Sequence, residues 1–286
     1  MATIGLVIHH GRAEAVEAGR EVTGWLVAAG HDVRLPATDA AMVGLVDHAV
    51  DEADFAEGLD VAVSLGGDGC MLRAVQLVAA RGVAILGVNL GQLGYLTEVE
   101  PTGLHDALVR VLDGHYDVEQ RMLLDVSVER RSAPGPLPPM LALNDAVIGK
   151  TPTGHTIRIE VTIDGEPFTP YAADGVIVAT PTGSTAYNLS ARGPIVAPTH
   201  EALLLTPVSP HMLFDRTLVL EPSASLSLTV GEPRPATLAV DGRVFDELQP
   251  GDTVVCTGSP HRARLVTFGP RDFLQILKAK FRLSDR

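Results

Sequence analysis

Gly66-Gly67-Asp68-Gly69-Cys70 is where this sequence concentrates chemistry. Glycines let a backbone come close to a phosphate, and the amides of a helix that starts there point at the anion. A carboxylate in such a turn can accept the proton of a hydroxyl group while a phosphoryl group is transferred to it. The blander alternative is that Asp68 caps the helix and the glycines only shape the turn. Neither a Walker-A lysine nor a G-x-G-x-x-G fingerprint is present, which argues against P-loop and dehydrogenase readings. Arg73 falls on the first turn of the following helix, on the side facing the loop. It would either meet donor phosphates or stand solvated.

The elements that must position these residues alternate between strand and helix. Thr3–Ile8 is a β-branched strand, Ala13–Ala29 a helix stopped by Gly30, and Asp32–Leu35 a short strand. Val61–Leu65 is an apolar strand leading into the glycine turn. A helix from about Met71 to Arg81 follows and is closed by Gly82. Val83–Val88 is again strand, and Thr102–Asp113 helix, ended by Gly114. This order implies parallel pairing with right-handed crossovers.

After Met122 the pattern changes. Ile157, Ile159, Val161 and Ile163 alternate with polar residues, and Asp164-Gly165 gives a hairpin turn. Leu226, Leu228 and Val230 alternate in the same way, while Asp241-Gly242 and Pro250-Gly251 mark further turns. Ser132–Pro139 reads as a surface loop. Helical spacing returns in the tail, Arg271–Phe281. The expected fold class is therefore α/β plus all-β. A Rossmann-like parallel domain spans 1–121 with 270–286, and a mainly antiparallel β-sandwich domain spans 122–269. The final helix packs back on the first domain.

The 286 residues, 46% hydrophobic and 20% charged, suffice for a normal core. No apolar run reaches the ~18–20 residues needed to span a bilayer, and the N-terminus reads as a first strand rather than a signal peptide. Cys70 and Cys256 are the only cysteines, far apart in sequence. They support neither a disulfide framework nor a zinc site, and a reducing, cytoplasmic setting is expected. A net charge of −13 argues against a nucleic-acid binder. An anionic nucleotide would need local compensation from glycine-turn amides, a few arginines and Mg²⁺.

In order and spacing, GGDGC before a helix, GVNLGQLGYL (87–96), LND (143–145), ADGVIVATPTGSTAYNLSARGPI (173–195) and SPHMLFDRTLVL (209–220) resemble the NAD kinase family. The likeness runs from the first strand to the final helix. Diacylglycerol and sphingosine kinases and phosphofructokinases carry relatives of the glycine turn, whereas TPTGSTAY is far more specific.

The resemblance implies transfer of the terminal phosphoryl group of ATP or polyphosphate to the 2′-hydroxyl of the adenosine ribose of NAD, giving NADP. Mg²⁺ would be held through the donor phosphates, with no protein side chain assigned to it. Asp68 matches the general base, with Gly67 and Gly69 beside it at the nucleotide. Asn144 and Asp145 match a pair holding the ribose and nicotinamide side, as an amide and a carboxylate can bracket vicinal hydroxyls. His155 falls at a basic substrate contact. Asp174 matches an acid reaching the nicotinamide carboxamide across a subunit interface. Thr185, Ala186, Tyr187 and Ser190 match the adenine segment, and Tyr95 a wall of the pocket. A homodimer or homotetramer is implied, with no nucleic-acid or membrane partner.

Without the resemblance, several of these residues read more plainly. Asn144 would be a strand-end turn former, Asp174-Gly175 a turn, Thr180–Thr185 a polar loop, His155 a surface residue and Tyr95 core. The chain also departs from the family. Cys70 stands where threonine is common, Arg192 where glycine is usual, and Asp145 where bacterial members often have glutamate. If position 192 needs a positive φ, arginine there is strained; if not, it could reach a phosphate. Three alternatives therefore stand beside the NAD kinase reading: a catalytically weakened NAD-binding homologue, a lipid or sphingoid kinase, and a kinase for another nucleoside-containing substrate.

Overall fold

Strand–helix alternation returns the chain repeatedly to the same edge of a sheet, which demands parallel pairing. The computed structural model describes residues 1–91, 94–132, 139–151, 155–270 and 272–283. Most of the expected loop at Ser132–Pro139, part of 87–96 and Arg271 therefore lie outside the described residues. The chain divides into two units, Met1–Gln120 with Arg262–Arg286, and Arg121–His261.

In the first unit, β1 (Thr3–Ile8), α1 (Ala13–Ala28), β2 (Asp32–Pro36), α2 (Ala37–Val43), β3 (Ala49–Val50), β4 (Val61–Gly66), α3 (Asp68–Val78), β5 (Ala84–Asn89) and α4 (Leu104–Leu112) follow in order. The sheet runs β5-β4-β1-β2-β3, all parallel. Arg264 and Leu265 add a further parallel strand beside Ala84 and Ile85. Every residue of β4 and β5 is buried, as expected of strands covered on both faces. Two expectations shift. The helix after the glycine turn begins at Asp68, not Met71. The helix expected from Thr102 starts as a 3-10 turn at Pro101–Gly103 and becomes α-helical only at Leu104. The short α2 and β3 had no clear periodic signal.

The second unit is built from antiparallel pairs. Its strands are the later part of β6 (Asp117–Glu129), then β7 (Met140–Ala142), β8 (Asp145–Lys150), β9 (Ile157–Ile163), β10 (Glu166–Ala173) and β11 (Gly175–Ala179). After the short helix α5 (Tyr187–Ser190) come β12 (Leu203–Val208), β13 (Leu218–Leu220), β14 (Ser225–Val230), β15 (Ala236–Val240), β16 (Arg243–Leu248) and the first part of β17 (Thr253–Thr267). One sheet orders β10-β9-β14-β17 and the other β13-β12-β11-β8-β15-β16. Alternate residues from both sheets, among them Ile159, Val161, Val176, Val178, Leu205, Leu226 and Leu238, share a single core, the signature of a sandwich.

β11 is buried on both sides. Val176 and Val178 face the sandwich core, while Ile177 and Ala179 pack with Leu204, Ala191 and Val196 on the outer face. The segment after β11 is thus a cover, not the open polar loop expected from its composition. It forms a 3-10 turn (Thr182–Thr185) and α5, with Thr180, Thr182 and Ser184 buried. The chain re-enters the first unit partway along β17, rather than after it, and ends in α6 (Phe273–Phe281).

Candidate active site

Asp68 is the first residue of α3, and no side chain caps that helix at Gly67. Its carboxylate points instead across the carboxyl edge of the sheet, to the turn that follows β5. The Tyr95 amide donates to Oδ2 at 2.9 Å and the Leu96 amide to Oδ1 at 3.0 Å. A carboxylate offers about four acceptor positions, so two remain for a ligand. The role is therefore not helix capping: Asp68 ties two turns together and keeps acceptor capacity. Gly94 makes room for it, because a Cβ there would run into Oδ1 and come within 2.9 Å of Cγ. We expect Gly94→Ala to displace the carboxylate and lower kcat by about 10-fold or more, with far-UV circular dichroism unchanged. Unchanged kcat would show that the close approach does not matter.

Gly67 and Gly69 front open space. Tyr95 is half-buried, and burial together with the nearby Asp68 charge pushes its phenol above the ordinary range. Lys280 Nζ, from α6, sits 4.7 Å from the centre of the Tyr95 ring. Arg12, which carried no sequence signal, donates from its guanidinium to the Leu90 carbonyl and braces the same turn. Cys70 faces the core: its Sγ donates to the Val7 carbonyl at 3.3 Å, and burial pushes the thiol up to about 11. The side chain that departs from threonine is therefore buried in the core.

Arg73 requires correction. It is buried, neither solvated nor aimed at the loop, and its guanidinium grips Asp39 through two bonds of 2.6 and 3.0 Å. Asp39 also receives the Ile8 amide at 2.7 Å and lies 2.8 Å from His10 Nε2. Burial works to raise this carboxyl, but bonds from Arg73, His10 and Ile8 hold it below the usual carboxylate range. The pair is structural. Arg73→Leu would strip a buried carboxylate of its main partner and should cost roughly 3 kcal/mol in chemical denaturation. A loss below about 1 kcal/mol would contradict that reading.

In the second unit the Asp241-Gly242 hairpin does more than turn the chain. The Asp241 carboxylate accepts from the amides of Leu143, Asn144 and Asp145 at 2.9, 2.7 and 3.2 Å. The Asp241 amide in turn donates to the Asp145 carbonyl at 2.9 Å. Opposite, the Thr180 amide donates to the Asn144 carbonyl at 2.9 Å, and the Thr180 hydroxyl to that of Leu143. Gly183 lies so close that a Cβ would sit 2.5 Å from the Asn144 carbonyl carbon. Asn144 and Asp145 are therefore clamped by Asp241, Thr180 and Gly183, none of which stood out as more than punctuation.

Asp145 is 4% exposed. Burial and the neighbouring Asp241 charge push its carboxyl up to about 7, against a bond from the Tyr187 amide that favours ionisation. That bond joins the Asn144–Asp145 pair to the segment Thr185–Ser190. The segment itself is fixed by buried Asn188, which donates to the Ser184 and Pro194 carbonyls (3.1 Å each) and accepts from the Thr206 hydroxyl at 2.6 Å. Thr185 and Ala186 are half-buried, Ser190 is exposed, and Tyr187 is 45% exposed, leaving its ring free to stack. Asp174, by contrast, pairs with Lys150 Nζ at 2.9 Å. His155 is exposed and adjoins residues outside the described set.

A parallel α/β unit with a glycine-flanked acid at its carboxyl edge, continued by an antiparallel sandwich, defines the class: a two-unit kinase acting on a hydroxyl group. The family profile of the ATP-NAD kinase N-terminal domain matches residues 4–116, and that of the ATP-NAD kinase C-terminal domain residues 143–268. An NAD kinase of Symbiobacterium thermophilum is 42% identical over 281 residues, covering 98% of this chain and 99% of the relative. One from Heliobacterium modesticaldum is 40% identical over 281 residues, covering 98% of each. The crystal structure of yeast NADH kinase complexed with NADH superposes with a TM-score of 0.91 at 25% identity, covering 100% of this chain and 89% of that one. The chain belongs to the NAD kinase family and is a kinase acting on NAD. Among the described residues no helix is long and apolar enough to cross a membrane.

Proposed function

We propose that this chain transfers the γ-phosphoryl group of ATP to the 2′-hydroxyl of the adenosine ribose of NAD, with Asp68 accepting the hydroxyl proton. The observation that carries this reading is the half-buried Asp68 carboxylate, oriented by the Tyr95 and Leu96 amides and with acceptor positions to spare. Phosphoryl transfer asks the protein mainly for positioning and charge stabilisation, and a carboxylate held by backbone is a positioned one. Asn144 and Asp145 would bracket ribose hydroxyls, and Thr185, Ala186, Tyr187 and Ser190 would hold the adenine, with the Tyr187 ring beside the base. Gly67 and Gly69 would leave bare backbone for phosphate, Tyr95 would wall the pocket, and His155 would supply a basic contact.

Among the described residues no group of three or more His, Cys, Asp or Glu side chains could hold a metal ion. In this reading Mg²⁺ would arrive on the donor phosphates and supply charge neutralisation there. ATP is the proposed donor, in keeping with the family profiles; polyphosphate is the competing one. We also take the chain to form a homodimer or homotetramer in which Asp174 reaches a neighbouring copy's substrate. In that role Asp174 would have to exchange its bond to Lys150 for the carboxamide.

The decisive experiment incubates purified protein with NAD or NADH and either ATP or polyphosphate, and scores NADP or NADPH. NADP formed with ATP supports the reading; product with polyphosphate alone overturns the donor, and product with neither overturns the reaction. Sedimentation at several concentrations tests the assembly, and a monomer throughout would rule out a shared site.

A further inference from the structure

Beside the adenine-side segment, a cavity of about 600 Å³ opens in the second unit, bordered by Tyr187, Ser190, Arg192, Ser209, Asp215 and Arg216. Its size is that of a small-molecule site. The charges facing it are three. Arg216 Nε lies 3.4 Å from Asp215 Oδ1, so these two largely offset each other. Arg192 is exposed and has no carboxylate within ion-pair distance among the described residues.

The backbone at Arg192 is unusual. Its φ is +66°, a left-handed conformation disfavoured by any residue with a Cβ. It is held there by two bonds, from its own amide to the Leu189 carbonyl at 3.0 Å and from the Gly193 amide to the Asn188 carbonyl at 2.8 Å. Glycine would fit without strain. An arginine kept in this conformation, unpaired and at the lip of a cavity, is a strained outlier of the kind that marks ligand contacts. In a chain of net charge −13, a cation there without an ion-pair partner selects an anion.

We propose that Arg192 binds the pyrophosphate of NAD, its guanidinium pairing with the two phosphates while Tyr187 and Ser190 hold the adenosine side. This rests on the placement of the adenine at Thr185–Ser190. Arg192 is then a substrate-affinity residue supplied by this chain where glycine would be the relaxed choice. The contact is charge-assisted and partly exposed, so it weakens with salt.

Calorimetry with NAD, and with adenosine, which lacks the pyrophosphate, tests this on the full chain and on Arg192→Gly, Arg192→Asn and Arg192→Lys. Arg192→Gly should raise the melting temperature by roughly 2–4 °C as the strain is relieved. It should also weaken NAD binding by about 5- to 20-fold at low salt and leave adenosine binding unchanged. Arg192→Asn, which tolerates the same φ, should lose NAD affinity similarly, and Arg192→Lys should keep most of it. Unchanged NAD affinity in the glycine and asparagine variants overturns the proposal, as does a parallel loss of adenosine binding. A wild-type chain that bound no NAD would bring down the adenine placement itself, a result distinct from intact NAD binding in the variants.

Discussion

Asp68→Asn should lower turnover by about 10²-fold or more at saturating NAD and ATP, while NAD affinity stays within a few-fold. Asparagine keeps the shape of the side chain and one acceptor oxygen, so either the Tyr95 or the Leu96 amide still has its partner. The other loses a hydrogen bond worth roughly 1 kcal/mol, too little to unfold the unit. On the proposed mechanism, what disappears is the ability to take a proton from the ribose hydroxyl. Because fold and substrate binding persist, the loss belongs to kcat and not to KM. Unaltered turnover under these conditions would remove Asp68 from the chemistry and leave it as a tie between two turns.

The second large effect concerns Asp145, and it has two opposed parts. Its carboxyl is pushed up to about 7 by burial and by Asp241, so between about pH 4 and pH 7 the folded chain holds a proton that the unfolded chain has released. Stability contributed by that proton is fully present below about pH 4 and lost as pH rises through 7. Asp145→Asn is neutral at every pH, accepts the Tyr187 amide through its oxygen, and can donate from its amide towards Asp241. At pH 8 the variant should therefore exceed the wild type in stability by up to about 4 kcal/mol, the full value of a three-unit shift, with the difference fading towards pH 4. NAD affinity should fall about 10-fold or more, since the carboxylate that would accept from ribose hydroxyls is gone. Denaturation at pH 4 and pH 8 decides the first part; equal pH dependence in variant and wild type would refute the burial argument.

That Asp145 carries such a cost was not legible in the sequence, whereas Asp68 was. The turn at 66–70 announces itself through adjacent residues: an apolar strand, glycines and an acid, followed by helical spacing. The β9–β10 hairpin was legible for the same reason, since alternation and Asp164-Gly165 are local signals. Asp145 owes its environment to Asp241, 96 positions away, and Asp241-Gly242 looks like any other hairpin turn until its side chain is seen folded inward. Arg73 misled in the same manner. It does lie in the helix after the glycine turn, though on the second turn and not the first, and its partner Asp39 lies 34 residues earlier in a short helix with no periodic signal. Thr180, Gly183 and Asn188 belong to a stretch whose composition suggests exposed loop. Their burial comes from covering the outer face of β11, and a two-sided strand cannot be told from a one-sided one when every residue in it is apolar.

The strand that leaves the sandwich partway along its length limits how the gene can be cut. A fragment ending at Gln120 would lack Arg264 and Leu265, the parallel neighbours of Ala84 and Ile85. The free flank of Ala84–Asn89 would then offer unpaired amides and carbonyls on a wholly buried, mostly apolar strand, a template for sticking to other copies. Such a truncation should precipitate on expression, whereas a permuted gene that joins 262–283 to the start of the chain through a flexible spacer should yield soluble material.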